Sequence, residues 1–201
     1  MSTSISMSAR GTLLNERDAS GVVGSKYLPF VSWDPDTARG EIEAFLAFWE
    51  WLTDLRREVA RRGASLLAYC YSQGAENGQL RRLAALCGVR DSVEELLHSD
   101  QWVDLYPIVK KQLVTGRGMG LKKVAPLAGF GWRGPEVGGD LAMVRYVEAT
   151  AAPDEALRAR AQQWILEYNE DDVRATAALR EWLDQSASLL PSIEEAVPTL
   201  Q

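Results

Sequence analysis

The sequence has 201 residues, of which 46% are apolar and 25% are charged, and its formal net charge is −6. A chain of this size and apolar content can form one α/β domain with a full core, so a second domain need not be invoked. The negative net charge excludes a broadly basic nucleic-acid-binding coat and leaves room only for a local basic patch.

Neither the cysteines nor the hydropathy of the chain points to a metal cluster or a membrane. Cys70 and Cys87 lie in apolar segments without the spacing of metal ligands, which predicts reduced, packed thiols and no zinc or iron–sulfur site. No apolar run is long enough to span a membrane, and residues 1–10 are serine-rich without an apolar run. We therefore expect a cytoplasmic protein with no membrane partner.

The elements follow from apolar periodicity and from turn and cap residues. A continuous apolar run between two glycines, at 65–71, is typical of a central strand that is covered on both faces. In chain order the pattern predicts an irregular N-terminus at 1–10, a hairpin with strands at 11–14 and 27–33, a helix capped by Asp34, Pro35 and Asp36 that ends at Gly63, the strand at 65–71, helices over 75–86 and 91–99, a strand at 102–105, helices over 106–114 and 121–127, a loop at 129–139, and helices over 140–148 and 153–185.

This order of elements predicts the fold class. An opening hairpin precedes strands that are joined by helices, which indicates an α/β fold with a mixed central sheet flanked by helices. We expect one domain over residues 11–185 and a flexible tail over 186–201, because the tail has two prolines and little apolar pattern.

The last predicted helix carries an acid in its apolar face. Asp172 lies seven residues from both Ile165 and Leu179, so the three side chains project in nearly the same direction, and Tyr168 lies one turn earlier. A carboxylate in such a face must be hydrogen-bonded, paired, protonated or bound to a metal ion. Asp172 is therefore a candidate site residue, and the alternative is a buried acid satisfied by backbone amides or an arginine. The neighbouring Asp171 is expected to be solvated.

A second candidate acid follows the predicted central strand. Glu76 lies just beyond the carboxyl end of that strand, where ligands bind in open α/β sheets. The alternative is that Glu76 only stabilises the first turn of the next helix through the helix dipole. Asp104, at the end of its own strand, is expected to bind local backbone amides.

Basic side chains between the two acids form a candidate nucleic-acid-binding surface. Aromatic residues alternate with them in sequence, so a phosphate backbone and stacked bases can both be accommodated. The commoner alternative is a solvated helix face. The candidate residues are Lys110, Lys111, Arg117, Lys122 and Lys123.

Five motifs together resemble a known domain in their order and spacing. The similarity covers roughly residues 11–185 and is to the YprB-type RNase H-like domain at the C-terminus of putative RecB-family nucleases, within the DnaQ-like 3′–5′ exonucleases of the DEDDy branch. The motifs are Ala68-Tyr69-Cys70-Tyr71 with Glu76 and Leu80, Trp102-Val103-Asp104-Leu105-Tyr106, Gly120-Leu121-Lys122-Lys123, Gly129-Phe130, and Tyr168-Asn169-Glu170-Asp171-Asp172.

The resemblance implies an RNase H-like fold and two-metal hydrolysis of a phosphodiester in single-stranded DNA or RNA. It makes Asp172 and Glu76 metal ligands, with Tyr168 orienting the attacking water, and hard carboxylate ligands favour Mg²⁺ or Mn²⁺. It also implies a partner, an upstream nuclease or helicase module on another chain.

The sequence departs from this family at the first motif, an Asp-x-Glu on the first strand. No residue among 1–10 is acidic. We therefore expect the first strand to be missing, hydrolysis to be impaired, and a neighbouring strand to have an open edge. The alternative function is a non-catalytic domain that binds nucleic acid or docks a partner.

Overall fold

The computed structural model describes residues 2–8, 11–17, 23–71, 73–113, 118–134, 139–185 and 189. Its five strands form one sheet in the order β3-β2-β1-β4-β5. The pairs β1–β2 and β2–β3 are antiparallel, whereas β1–β4 and β4–β5 are parallel, so the predicted mixed sheet is confirmed. The strands are β1 (Ser2–Ser8), β2 (Gly11–Arg17), β3 (Val23–Pro29), β4 (Leu66–Cys70) and β5 (Trp102–Asp104).

The first strand is present, and the expectation that it is missing and that the N-terminus is irregular is wrong for residues 2–8. β1 lies in the middle of the sheet, where Ile5 pairs with Leu14 on one side and with Ala68 on the other. Alternate serines make β1 weakly apolar in sequence. A central strand is held by ladders on both sides, so tertiary pairing overrides this weak propensity.

The hairpin also extends further than its apolar residues indicate. β2 continues to Arg17 and β3 begins at Val23, inside the predicted loop, while residues 18–22 lie outside the described part. Asn15 and Ser25 are opposite each other in the ladder, and the Ser25 hydroxyl donates to Asn15 Oδ1 at 2.5 Å. A polar cross-strand pair thus continues the hairpin where apolar alternation has stopped.

The helices agree with the predicted order. Asp36 caps the first of them by accepting a hydrogen bond from the Arg39 backbone N–H at 3.3 Å. The helices are α1 (Thr37–Arg61), α2 (Gln73–Cys87), α3 (Arg90–Leu97), α4 (Leu105–Gln112), α5 (Leu121–Val124), α6 (Gly139–Ala151) and α7 (Glu155–Gln185), with a 3-10 helix at Ala125–Ala128. The predicted tail, apart from Leu189, lies outside the described residues.

Helices cover both faces of the sheet. On one face α1, α2 and α3 enclose an apolar core around Leu52, Cys70 and Val93. On the other face α7 packs on β1 and β2, where Leu13 meets Val173, while α4 and α5 complete a further cluster. This double cover agrees with the near-continuous apolar sequence of β4.

Both cysteines are free thiols, and burial raises the pKa of the Cys70 thiol well above its usual range. Among the helices of the described residues, none combines the length and the hydropathy that a membrane crossing requires.

Candidate functional site

Two elements bring the predicted acids together. Glu76 lies in the first turn of α2, just beyond the carboxyl end of β4, and Asp172 lies in the middle of α7. Burial raises the pKa of Glu76 to about 7, and the negative charges of Asp104 and Asp172 add to this rise. The carboxyl groups of α2 and α7 thus share one electrostatic environment at the end of the parallel strands.

Asp172 is partly buried and held by its neighbours. Its Oδ1 accepts a hydrogen bond from Trp132 Nε1 at 2.9 Å. Burial raises its pKa, while the Trp132 hydrogen bond and the positive charge of Lys122 act in the opposite direction. Asp172 is therefore not a solvated surface acid, because Trp132 and Tyr168 both donate hydrogen bonds to its carboxylate.

Tyr168 and Lys122 form the next part of the site. Lys122 Nζ donates to the Tyr168 hydroxyl at 3.0 Å and lies 4.8 Å from the centre of its ring, and the Trp164 ring stacks on Tyr168 at 5.2 Å. Burial and the charge of Asp172 raise the pKa of Tyr168 to about 12, so its hydroxyl stays protonated at neutral pH. The site thus presents one ammonium and one hydroxyl beside Asp172.

Glu76 differs from Asp172 in having an unsatisfied oxygen. Its Oε2 is fully buried and has no hydrogen-bond partner among the described residues. A buried carboxylate oxygen without a partner costs free energy, so burial is the largest cause of the raised pKa of Glu76, and a backbone hydrogen bond at Glu76 offsets part of the rise.

Asp171 is buried, and the expectation that it is solvated is wrong. It is 5% exposed, and its carboxylate accepts hydrogen bonds from the Arg133 backbone N–H at 2.9 Å and from Arg133 Nε at 2.7 Å. The same guanidinium donates to Glu170 at 2.8 Å and to the Glu167 carbonyl at 3.1 Å. These bonds fix the segment that carries Trp132 against α7.

This clamp, formed by Arg133 on Asp171 and its helix neighbours, does not follow from the sequence pattern, because α7 is covered on more than one side and a single apolar face does not define its buried positions. Two sequence features could have indicated this contact: an arginine next to a tryptophan in a glycine-rich segment, and three consecutive acids in the last helix.

The predicted basic surface is only partly gathered at the site. Lys122 lies within it, whereas Lys110 and Lys111 are exposed at the end of α4 and Lys123 is exposed on α5. Arg117 lies outside the described residues. Asp104 caps α4 by accepting from the Tyr106 backbone N–H at 2.9 Å, which confirms its expected local hydrogen bond.

Serines stand on β1 opposite two residues of β2. Ser6 pairs with Leu13 and Ser8 pairs with Gly11 in the backbone ladder. A Cβ atom on Gly11 would collide with Asn169 Oδ1 and lie 2.8 Å from the Tyr27 ring, so α7 approaches β2 closely at Gly11. No acid stands at either serine position.

The donor set of this site is smaller than that of the two-ion centre that the resemblance implies. Among the described residues, no group of three His, Cys, Asp or Glu side chains is placed to hold a metal ion. Glu76 offers one unpaired oxygen, but one oxygen of Asp172 accepts the Trp132 N–H, and β1 supplies no acid. These side chains do not fit a two-ion centre.

Comparison with known proteins identifies a family for the part of the chain that carries this site. A family model described as RNase H superfamily matches residues 68–184. No curated protein and no solved structure matches the chain. The matched segment runs from β4 into α7, includes Glu76, Lys122, Tyr168 and Asp172, and covers more than half of the chain. With its mixed α/β sheet and the nuclease-type fold of that family, the chain belongs to the RNase H superfamily.

Proposed function

We propose that this chain is a 3′–5′ exonuclease-type domain that binds single-stranded DNA or RNA and in which phosphodiester hydrolysis is impaired. The observation that carries the proposal is the assembly of Glu76, Lys122, Tyr168 and Asp172 at one end of the parallel strands. Domains with an RNase H-like fold bind nucleic acids, and the motifs around these residues support the YprB type of the RecB-family nucleases.

In this proposal Lys122 contacts a phosphate, because its ammonium lies beside the Tyr168 hydroxyl at the surface of the site. Tyr168 donates a hydrogen bond to the same phosphate, and Trp164 fixes its ring by stacking. Lys110 and Lys111, exposed on α4, and Lys123, exposed on α5, extend the contact along the backbone of the strand. Each phosphate neutralised in this way makes binding weaker at higher salt.

Hydrolysis is impaired in this proposal because the set of carboxylates is incomplete. Four carboxylates are implied for the family, and the described site offers two, Glu76 and Asp172. We propose that Asp172 and Glu76 are what remains of the metal-binding set and that Mg²⁺ or Mn²⁺ is the ion suited to their hard oxygens. Serines at positions 6 and 8 supply no negative charge for a second ion.

Binding is tested with a fluorescent single-stranded oligonucleotide in EDTA, by anisotropy at low and at high salt. We expect salt-sensitive binding that Lys122→Gln weakens several-fold. The matched control is Arg57→Gln, which removes the same charge from an exposed position of α1, where Arg57 pairs with Asp54. Equal losses in the two variants, or no binding at low salt, would contradict the proposal.

Hydrolysis is tested separately with Mn²⁺ and a single strand labelled at its 5′ end. We expect no efficient shortening, because the acid set is incomplete. Shortening by the wild-type protein that Asp172→Asn abolishes would show that the remaining acids suffice for catalysis. Shortening that Asp172→Asn leaves unchanged would contradict the assigned role of this residue.

The serines of β1 favour a second candidate, a domain that has lost catalysis entirely and docks a partner. The resemblance supplies the proposed partner, an upstream nuclease or helicase module on another chain. Two free thiols support a reducing, cytoplasmic location for such an assembly. Co-purification with such a module, without nucleic-acid binding by the chain alone, would favour docking over binding.

A further inference from the structure

The segment that follows the 3-10 helix, residues 129–133, brings Trp132 onto Asp172. The indole N–H of Trp132 donates to Asp172 Oδ1 at 2.9 Å. Phe130 packs against the edge of the Trp132 ring with ring centres 5.1 Å apart, and the next residue, Arg133, binds Asp171 through its backbone N–H and its guanidinium. The indole is thus held from both sides along the chain, which makes its N–H a fixed donor to Asp172.

The start of this segment is bonded to a buried part of the fold. Gly129 has a φ of +74°, a left-handed conformation that ends the 3-10 helix at no steric cost. The Phe130 backbone N–H donates to the carbonyl of Ala125 at 3.2 Å, and Ala125 is fully buried. Moving Trp132 away from Asp172 therefore disturbs bonds at both ends of the segment.

Other groups of the protein also act on this carboxylate. The Tyr168 hydroxyl donates to Asp172 and accepts from Lys122 Nζ at 3.0 Å. Mg²⁺ binds carboxylate oxygens at about 2.0–2.1 Å. An ion on Oδ1 would therefore have to displace the Trp132 N–H or share the oxygen with it. In either case the positive charge of Lys122 and the positive end of the N–H dipole disfavour the ion.

We propose that Trp132 is a positioning residue that reserves the Asp172 carboxylate for the donors of the protein and keeps a divalent ion off it. The inference rests on the proposed function and deepens it, because it gives hydrolysis a second obstacle besides the incomplete set of acids. It also makes Lys122 the cation of the site, so binding of a single strand should not require Mg²⁺.

The test measures Mn²⁺ binding to the full chain at pH 8, through the electron paramagnetic resonance signal of free Mn²⁺. Trp132→Phe keeps an aromatic ring beside Phe130 but removes the N–H. We expect this variant to bind Mn²⁺ roughly ten-fold more tightly than the wild-type protein, because a hydrogen bond to a charged group no longer competes with the ion. Adding Asp172→Asn to Trp132→Phe should abolish the gain.

The matched control is Trp51→Phe. Trp51 lies on α1, on the other side of the sheet, where its ring packs against Phe30 and Phe48. The substitution removes the same N–H group from a place that has no contact with Asp172. It should leave the Mn²⁺ affinity at the wild-type value.

The wild-type protein gives a second readout that needs no change in the segment. Its seven tryptophans give separate indole N–H signals in an NMR spectrum, and the signal that Asp172→Asn moves most is assigned to Trp132. We expect this signal to stay in place when millimolar Mg²⁺ is added. This measurement decides the question if thermal melting shows that Trp132→Phe is unfolded.

Three outcomes overturn the inference. The first is equal Mn²⁺ affinity, or no Mn²⁺ binding, in both the wild-type protein and a folded Trp132→Phe variant. The second is a gain in affinity that survives Asp172→Asn, and the third is a shift of the Trp132 signal with Mg²⁺. These measurements contain no nucleic acid, so they leave the proposed function standing, whereas the absence of oligonucleotide binding at low salt overturns the proposed function alone.

Discussion

The two faces of the central sheet bury different kinds of side chain. The face under α1, α2 and α3 is mostly apolar, with Leu52 and Val93 fully buried there, although α2 also buries Asn77. The face under α7 buries polar groups among its apolar ones, namely Asn169, Asp171 and Thr176. The face under α1, α2 and α3 is thus packed like an ordinary hydrophobic core, whereas the face under α7 carries polar residues around the candidate site.

Each of these three polar side chains under α7 has a hydrogen-bond partner. Asn169 accepts from the Tyr27 hydroxyl at 2.9 Å, Asp171 binds Arg133, and the Thr176 hydroxyl donates to the Asp172 carbonyl at 3.0 Å. A buried polar group costs free energy unless it is bonded, so each pair fixes a geometry. We conclude that the apolar face mainly stabilises the fold and that the α7 face positions the site.

The largest expected effect tests the apolar face. Leu52→Ala should lower the free energy of unfolding by about 3 kcal/mol, because a fully buried leucine leaves a cavity when truncated. Leu46→Ala, on the same helix but 44% exposed, should cost less than about 1 kcal/mol. Denaturant titration measures both values. Nucleic-acid binding should be unchanged below the unfolding transition, and a specific loss of binding in Leu52→Ala would break the division between the faces.

The second largest effect is expected at Glu76. Glu76 has a folded-state pKa of about 7 against an ordinary 4.5, so unfolding releases its proton between these values and stability falls as pH rises. Above pH 7 the penalty reaches up to about 3 kcal/mol, and Glu76→Gln should remove it. The variant should therefore be stabilised at alkaline pH and much less so below about pH 4.5.

The control for this pH dependence is Glu50→Gln, at an exposed position of α1. Glu50→Gln should change the free energy of unfolding only slightly, and by the same amount at acid and at alkaline pH. Melting temperatures across that range measure the difference, and a Glu76→Gln profile parallel to the wild-type profile would contradict the assignment.

A smaller effect is expected at the clamp on α7. Arg133→Met leaves Asp171 without its charged partner and should cost about 2 kcal/mol, less than for a fully buried pair because Arg133 is 48% exposed. Asp171→Asn in the same chain should recover part of the loss. A double-mutant cycle measures this coupling, and additive effects would show that the two residues do not act as a unit.

The smallest effect concerns a hydroxyl in the site. Tyr168→Phe removes the hydrogen bond with Lys122 and should change the free energy of unfolding by about 1 kcal/mol, because the stack on Trp164 remains. Binding of a single strand should weaken several-fold if the hydroxyl contacts a phosphate. Unchanged affinity would show that Tyr168 contributes only to packing. In that respect the α7 face would then resemble the opposite face, which mainly stabilises the fold.

The sequence was sufficient where periodicity is strong. The apolar run of β4, the stripe of α1 and the length of α7 followed from it, as did the placement of Asp172 and Glu76 at one end of the sheet. It was insufficient where neighbours decide the structure. β1 is a strand because β2 and β4 pair with it, and Asp171 is buried because a segment almost forty residues away carries Arg133. Neither partner is visible within a local window of sequence.

The central position of β1 has a consequence for how the chain folds. Its partner on one side, β2, follows at once, but Thr3 must wait for Leu66 on the other side, beyond the whole of β3 and α1. The hairpin can form early, while the parallel ladder closes a long loop before it gains any contact. We therefore expect pairing of β1 with β4 to be the slow folding step, and until these strands pair the edges of β1 and β4 are open to pairing with other chains.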